Sequence, residues 1–229
     1  MFFDPIYLVF AIPGLILAMV ASFYTKSTFA KYSQVTSSSG LTGAEAAKRM
    51  LYAAGIYDVR VEAVEGFLSD HYDPTNKILR LSQDVYANKS LSSIGVACHE
   101  AGHAVQHARA YAFLSLRTAL VPATNICSTL SYFIIMLGFF MSRNLILVGA
   151  ILFSVAVLFS IITLPVEWNA SSRAKEMMFS AGIVRPNEAA MAGEVLNAAF
   201  LTYVAAAVSA LLTLLYYLLR AGVFNGRNE

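Results

Sequence analysis

Cysteine and charge are both scarce in this chain. Of its 229 residues only Cys98 and Cys127 are cysteines, too few for a disulfide framework. Cys98 precedes His99 and Cys127 lies inside an apolar run, and both positions suit a reduced environment. Charged residues make up 13% of the chain against 58% hydrophobic, with mean hydropathy +0.61. That balance excludes a disordered or highly solvated chain and places the sequence among integral membrane proteins. A net charge of +2, with basic residues interspersed among acids, gives no footprint for nucleic acid. No internal repeat or low-complexity tract is visible.

Long apolar runs are what the chain does have. Four are able to cross a hydrocarbon layer of about 30 Å, which takes about 20 helical residues. They run over residues 6–24, 119–141, 145–166 and 198–219. Pro13-Gly14 predicts a kink in the first. In the second, Pro122, Asn125, Ser128 and Thr129 are expected to face protein rather than lipid. Only Ser142-Arg143-Asn144 separates the second and third, which predicts a tight helical hairpin. Asp4 stands where a signal peptide would carry positive charge, and no cleavage site follows, so the first span is expected as a retained anchor.

Basic residues set the expected orientation. Segment 25–117 carries ten Lys/Arg, and 167–198 adds Arg173, Lys175 and Arg185; the opposite side holds Arg143, Arg220 and Arg227. By the positive-inside rule the two rich segments are cytoplasmic. The sequons at Asn88 and Asn169 then fall on the cytoplasmic side and are incidental.

The first rich segment reads as small α+β structure. Residues 33–41 look like a linker. Thr42-Gly43-Ala44-Glu45 is a capping-box pattern that opens a helix to Ala54, with Gly55 as its stop. Val59, Val61 and Ala63 alternate with polar residues as a half-buried strand does. Residues 70–76 are turn-rich, and 77–82 read as a second strand. That strand is the candidate exposed edge on which an extended peptide would lie. Ser90 to Ser93 offer N-caps for a helix continuing to about Ala110.

This last helix carries His99-Glu100-Ala101-Gly102-His103, in a chain with four histidines. Positions i and i+4 share a helix face, so the two imidazoles can converge on one metal ion. Glu100, about 100° round the helix, can face a reacting water without ligating the metal. A catalytic zinc takes three protein ligands. His107 lies about 12 Å along the axis from His99 on a continuous helix and is too far to be the third; it is expected to support the site or the fold. Glu167, placed where an apolar run ends, is expensive without a partner and is the preferred third ligand. Ser171, one turn on, can hydrogen-bond the outer nitrogen of a zinc histidine. Asp70, His71, Asp73 and Asp84 remain competitors for the third position.

The motifs Asp70-His71-Tyr72-Asp73-Pro74, Leu81-Ser82, the run from His99 to His107, Leu164-Pro165-Val166-Glu167, Ala170-Ser171, and Leu201-Thr202-Tyr203-Val204-Ala205-Ala206 together resemble those of the YugP-type bacterial membrane zinc metallopeptidases. The likeness covers nearly the whole chain. It implies one membrane metallopeptidase domain, mainly α, with four transmembrane helices and a small cytoplasmic gluzincin-like α+β portion formed by 25–117 and 167–198. It further implies a zinc-dependent endopeptidase of the bacterial inner membrane, with one Zn²⁺ per chain held by His99, His103 and Glu167, and Glu100 as general base. Its partners would be the lipid bilayer and protein or peptide substrates, membrane proteins above all, with an oligomeric or regulatory partner left open. The chain is more distantly similar to membrane metallopeptidases of the heat-shock and prenyl-protein-processing type, whose ligand motif is Glu-x-x-Ala-Asp. Here Glu167-Trp168-Asn169-Ala170-Ser171 keeps the Glu and Ala but has Ser where Asp would stand.

Peptide hydrolysis also needs a donor for the developing oxyanion, and Tyr203, His71, Tyr72 and Arg173 are the candidates. Two rival classes remain. A non-catalytic zinc-containing scaffold or quality-control adaptor has no use for Glu100. A transporter is poorly supported by four spans without a pattern of buried charge.

Overall fold

The computed structural model describes residues 4–66 and 69–224. In chain order the elements are α1 (Pro5–Ser33), α2 (Gly43–Ala53), β1 (Arg60–Val64), β2 (His71–Asp73), β3 (Ile78–Ser82), α3 (Gln83–Ala87), α4 (Leu91–Ala108), α5 (Ala112–Met141), α6 (Arg143–Ser180) and α7 (Pro186–Arg220). The helices α1, α5, α6 and α7 contain the four apolar runs and are long and apolar enough to cross a membrane. Contacts divide the chain into two units. One comprises residues 1–21, 116–164 and 202–229, the other 22–115 and 165–201.

In the first unit, small residues let apolar helices meet closely, as helix association in lipid requires. A Cβ on Gly138 would stand 2.7 Å from the Ile146 backbone nitrogen, and one on Gly149 would run into Ile135 Cγ1. A single residue, Ser142, separates α5 from α6, so these two contacts close a helical hairpin. The buried positions of α5 are Ser131, Ile135 and Gly138, spaced i, i+4, i+7. Pro122, Asn125 and Thr129, expected to face protein, are instead exposed, and Ser128 is half-buried. The glycine contacts with α6 set which stripe of α5 is covered, and that stripe excludes them. Thr129 turns its hydroxyl inward to its own helix, donating to the Asn125 carbonyl at 3.0 Å.

The second unit is built on α4. Ser90 caps it by accepting from the Ser93 backbone N–H at 3.2 Å. Leu91, Ile94, Ala97, Cys98, Ala101 and Val105 are wholly buried. They pack with Met50 and Leu51 of α2 and Leu79 and Leu81 of β3 in one core, each large side chain contributing about 1.5–3 kcal/mol. The capping box that opens α2 is present in both directions between Thr42 and Glu45, and Gly55 has φ +77°, the left-handed conformation glycine allows. The segment 33–41 is not a free linker. Ser37 N–H donates to the Lys89 carbonyl at 2.9 Å, Leu91 N–H donates to the Val35 carbonyl at 2.9 Å, and Glu188 holds the Ser38 backbone and hydroxyl.

The sheet has the order β1-β3-β2, with β1 parallel and β2 antiparallel to β3. Strand β3, the expected edge, is therefore central: Ile78 faces both Arg60 and Asp73, and Arg80 faces both Glu62 and His71. Four of its five residues are buried, as in a strand whose sheet is covered on both faces. The turn-rich stretch from Asp70 supplies the strand that displaces it from the edge, β2. Asp73 then closes the turn into β3, accepting from Thr75 and Asn76 backbone N–H groups and from Arg80.

Candidate metal centre

His99 and His103 stand one turn apart on α4, their rings 4.8 Å apart and nearly perpendicular. Opposite them, α6 runs unbroken through Pro165 and presents Glu167. Close approach of the two helices depends on Gly102, where a Cβ would lie 2.7 Å from the Ala170 carbonyl oxygen. The Glu167 Oε2 atom then lies 3.2 Å from His99 Nε2 and 3.5 Å from His103 Nε2. One ligand atom from each of the three residues fits within 4.8 Å of the others. Zinc bonds of about 2.0–2.1 Å at a tetrahedral angle would set ligand atoms about 3.3 Å apart. The spacing of the carboxylate from both rings matches a tetrahedral metal.

The electrostatics match it too. Glu167 is 2% exposed and His103 is 9% exposed, and an isolated buried carboxylate is costly. Burial presses the His103 pKa down, but the hydrogen bond that Glu167 accepts, the charges of Glu100 and Glu167 and the contact with Gln106 outweigh it and leave the ring favouring positive charge. The site thus calls for a cation among its acids, and a divalent metal held by two imidazoles and a carboxylate meets that demand.

Each imidazole is oriented from behind. His99 Nδ1 lies 3.1 Å from Ser171 Oγ. His103 Nδ1 lies 3.0 Å from Gln106 Oε1, and the direction of that bond can be deduced. Gln106 Nε2 donates to the Val166 carbonyl at 2.8 Å and to Asn169 Oδ1 at 3.0 Å. A carbonyl only accepts, so the amide nitrogen must face it and the amide oxygen must face His103. Nδ1 therefore carries a proton, which leaves Nε2, on the Glu167 side, as the nitrogen that would give up its proton to bind a metal ion. Arg173 Nε extends the network by donating to the same Asn169 oxygen at 2.7 Å. Gln106 is completely buried, so each of these bonds stands in for lost water.

Glu100 is half-buried beside His103. Among the described residues its carboxylate has no hydrogen bond or ion pair, and its oxygens remain available.

The other histidine and aspartate candidates fall elsewhere. His107 is exposed and outside the cluster; its Nδ1 lies 2.9 Å from the Tyr72 hydroxyl. Burial and then the charges of Asp58 and Asp73 push the Tyr72 pKa up to about 12, so the phenol keeps its proton. His71 sits exposed on β2 with Nδ1 2.7 Å from the Ser69 carbonyl. Asp70 accepts from the Ser82 backbone and hydroxyl, Asp73 is held by Asn76 and Arg80, and Asp84 is exposed on α3. Tyr203 is a half-buried residue of α7 in the first unit. Gln106 and Asn169 were not among the sequence-based candidates; the available signal was Gln106 at i+3 from His103.

Residues 7–222 match the family described as "Putative neutral zinc metallopeptidase". The chain is also 49% identical over 226 residues to a Bacillus subtilis (strain 168) protein described as "Putative membrane protease YugP", a match that covers 98% of this chain and 99% of that one. No solved structure matches. The chain belongs to this zinc metallopeptidase family.

Proposed function

On the premise of that membership, we propose that the chain is a zinc-dependent, membrane-embedded endopeptidase. His99, His103 and Glu167 hold one zinc ion per chain, with Ser171 and Gln106 fixing the two rings. When bound, zinc supplies Lewis acidity to a carbonyl oxygen and to water. Glu100 takes the proton of the attacking water and passes it to the leaving amine. The oxyanion donor comes from Tyr203, His71, Tyr72 or Arg173. Of these, Arg173 shares α6 with Glu167 and is tied through Asn169 to Gln106. The substrates are proteins or peptides, membrane proteins above all, reached from the cytoplasmic face of a bacterial inner membrane.

One observation carries this reading: a half-buried Glu100 carboxylate, with no partner among the described residues, stands next to a largely buried two-histidine, one-glutamate cluster. A structural metal would use the cluster but leave Glu100 without a task. The test compares full-length wild type with Glu100→Gln for zinc content and for hydrolysis of an unfolded protein. Zinc should stay near one equivalent while hydrolysis falls by about 10² or more. Cleavage by the variant at the wild-type rate would remove Glu100 from the mechanism.

A further inference from the structure

A cavity that none of this chemistry uses lies wholly within the first unit, at the turn from α5 to α6 and beside the ends of α1 and α7. Its volume is about 430 Å³, and its lining includes Phe139, Phe140, Ser142, Arg143 and Arg220. The two arginines are not equivalent. Arg220 is engaged, with Nε 3.5 Å from Asp4 Oδ2 and its guanidinium 5.9 Å from the Phe139 ring centroid. The same Asp4 oxygen accepts the Tyr216 hydroxyl at 3.0 Å. Arg143 is exposed and makes no hydrogen bond or ion pair with any described residue. Among the described residues, two guanidinium groups against one carboxylate leave the cavity with one positive charge in excess.

The rim is apolar. Phe140 is 84% exposed and Met141 is 71% exposed, at the end of a helix long and apolar enough to cross a bilayer. That is the level at which aromatic side chains sit between acyl chains and headgroups. A concave site with one surplus guanidinium beside exposed Phe140 and Met141 matches a phosphate diester that carries hydrocarbon chains. We propose that this cavity binds the phosphate of an anionic phospholipid, with Arg143 as its principal donor, in the fork geometry guanidinium offers to phosphate oxygens. The single excess charge favours a headgroup of net charge −1 over a zwitterion. Free phosphate offers the same oxygens but nothing for Phe140 and Met141 to cover. The inference is independent of the peptidase reading.

The test uses the purified full chain in neutral detergent, titrated separately with phosphatidylglycerol, phosphatidylcholine and deacylated glycerophosphoglycerol, with bound species counted by native mass spectrometry. Phosphatidylglycerol should bind in preference to phosphatidylcholine, and the deacylated headgroup should not bind at the same concentration. Arg143→Gln should weaken phosphatidylglycerol binding by about tenfold or more, the loss of one charge-assisted hydrogen bond, with its melting temperature unchanged as a check on folding. Equal binding of phosphatidylglycerol by wild type and variant would overturn the proposal. So would equal affinity for the zwitterion, or binding of the chain-free headgroup as tight as that of the lipid.

Discussion

The Gln106 amide nitrogen lies 2.8 Å from the Val166 carbonyl oxygen, and this one bond fixes a proton on the Nδ1 nitrogen of His103. The carbonyl belongs to the residue just before Glu167, so one side chain of α4 orients a proposed ligand on its own helix and grips the backbone beside another. Gln106→Leu keeps much of the volume but leaves the carbonyl, Asn169 Oδ1 and His103 Nδ1 without this partner. Zinc affinity should fall by about 10- to 100-fold. Competition against a chromogenic chelator measures it. Wild-type affinity would mean that His103 needs no support from behind.

Close approach of α4 and α6 gives a second expectation. In Gly102→Ala the new Cβ meets the Ala170 carbonyl oxygen at 2.7 Å, whereas in Gly95→Ala it meets the Ala192 carbonyl oxygen at 3.3 Å. Both partners are backbone, but the shorter contact demands a larger shift. Gly102→Ala should lose about 1–3 kcal/mol of stability and retain less zinc, because the shift moves Glu167 away from the histidines. Gly95→Ala should lose less and keep its metal. Equal melting temperatures and zinc contents for the two variants would contradict the geometric argument.

Much of this arrangement was legible in the sequence because it depends on local periodicity. Four apolar runs gave four long helices, the Thr42–Glu45 pattern gave its capping box, and i, i+4 spacing placed His99 and His103 on one face. The losses occurred where tertiary partners decide. Asp70-His71-Tyr72-Asp73-Pro74 has turn composition, yet Tyr72 and its neighbours form β2 because β3 offers them a ladder. Strand β3 looked like an edge because a strand's position in a sheet is not encoded in its own alternation. The polar side chains of α5 looked inward-facing, but Gly138 and Gly149 select a different stripe. Gln106 passed as one more helical residue, since its partners Val166 and Asn169 are sixty or more positions away.

Orientation in the membrane rests on charge alone and can be tested directly. With thirteen basic residues on one side and three on the other, the N-terminus, Ser142 and the C-terminus should face outward, and residues 25–117 and 167–198 should be cytoplasmic. In a background with Cys98 and Cys127 replaced, a cysteine at Ser142 should react with an impermeant thiol reagent in intact cells. A cysteine at Ser39 should react only after permeabilisation. The opposite pattern would invert the assignment and move the proposed active site to the outer face.

The third ligand separates Glu167, the residue preferred from the sequence, from His107, the next histidine along α4. Glu167 places one carboxylate oxygen 3.2 and 3.5 Å from the two Nε2 atoms. His107 points its Nδ1 at Tyr72 and lies about 12 Å along α4 from His99. Glu167→Ala leaves two imidazoles and should abolish zinc retention, because an open site needs three protein ligands. His107→Ala should keep its zinc. Ser171→Ala should fall between them, with affinity or activity reduced by about 10- to 100-fold, since His99 then loses the hydroxyl behind its Nδ1. The measurement is zinc per chain in detergent-solubilised variants after dialysis against a weak chelator. Zinc kept by Glu167→Ala and lost by His107→Ala would show that the metal sits on the Tyr72 side of α4 and that the cluster at Glu167 is only a buried ion pair.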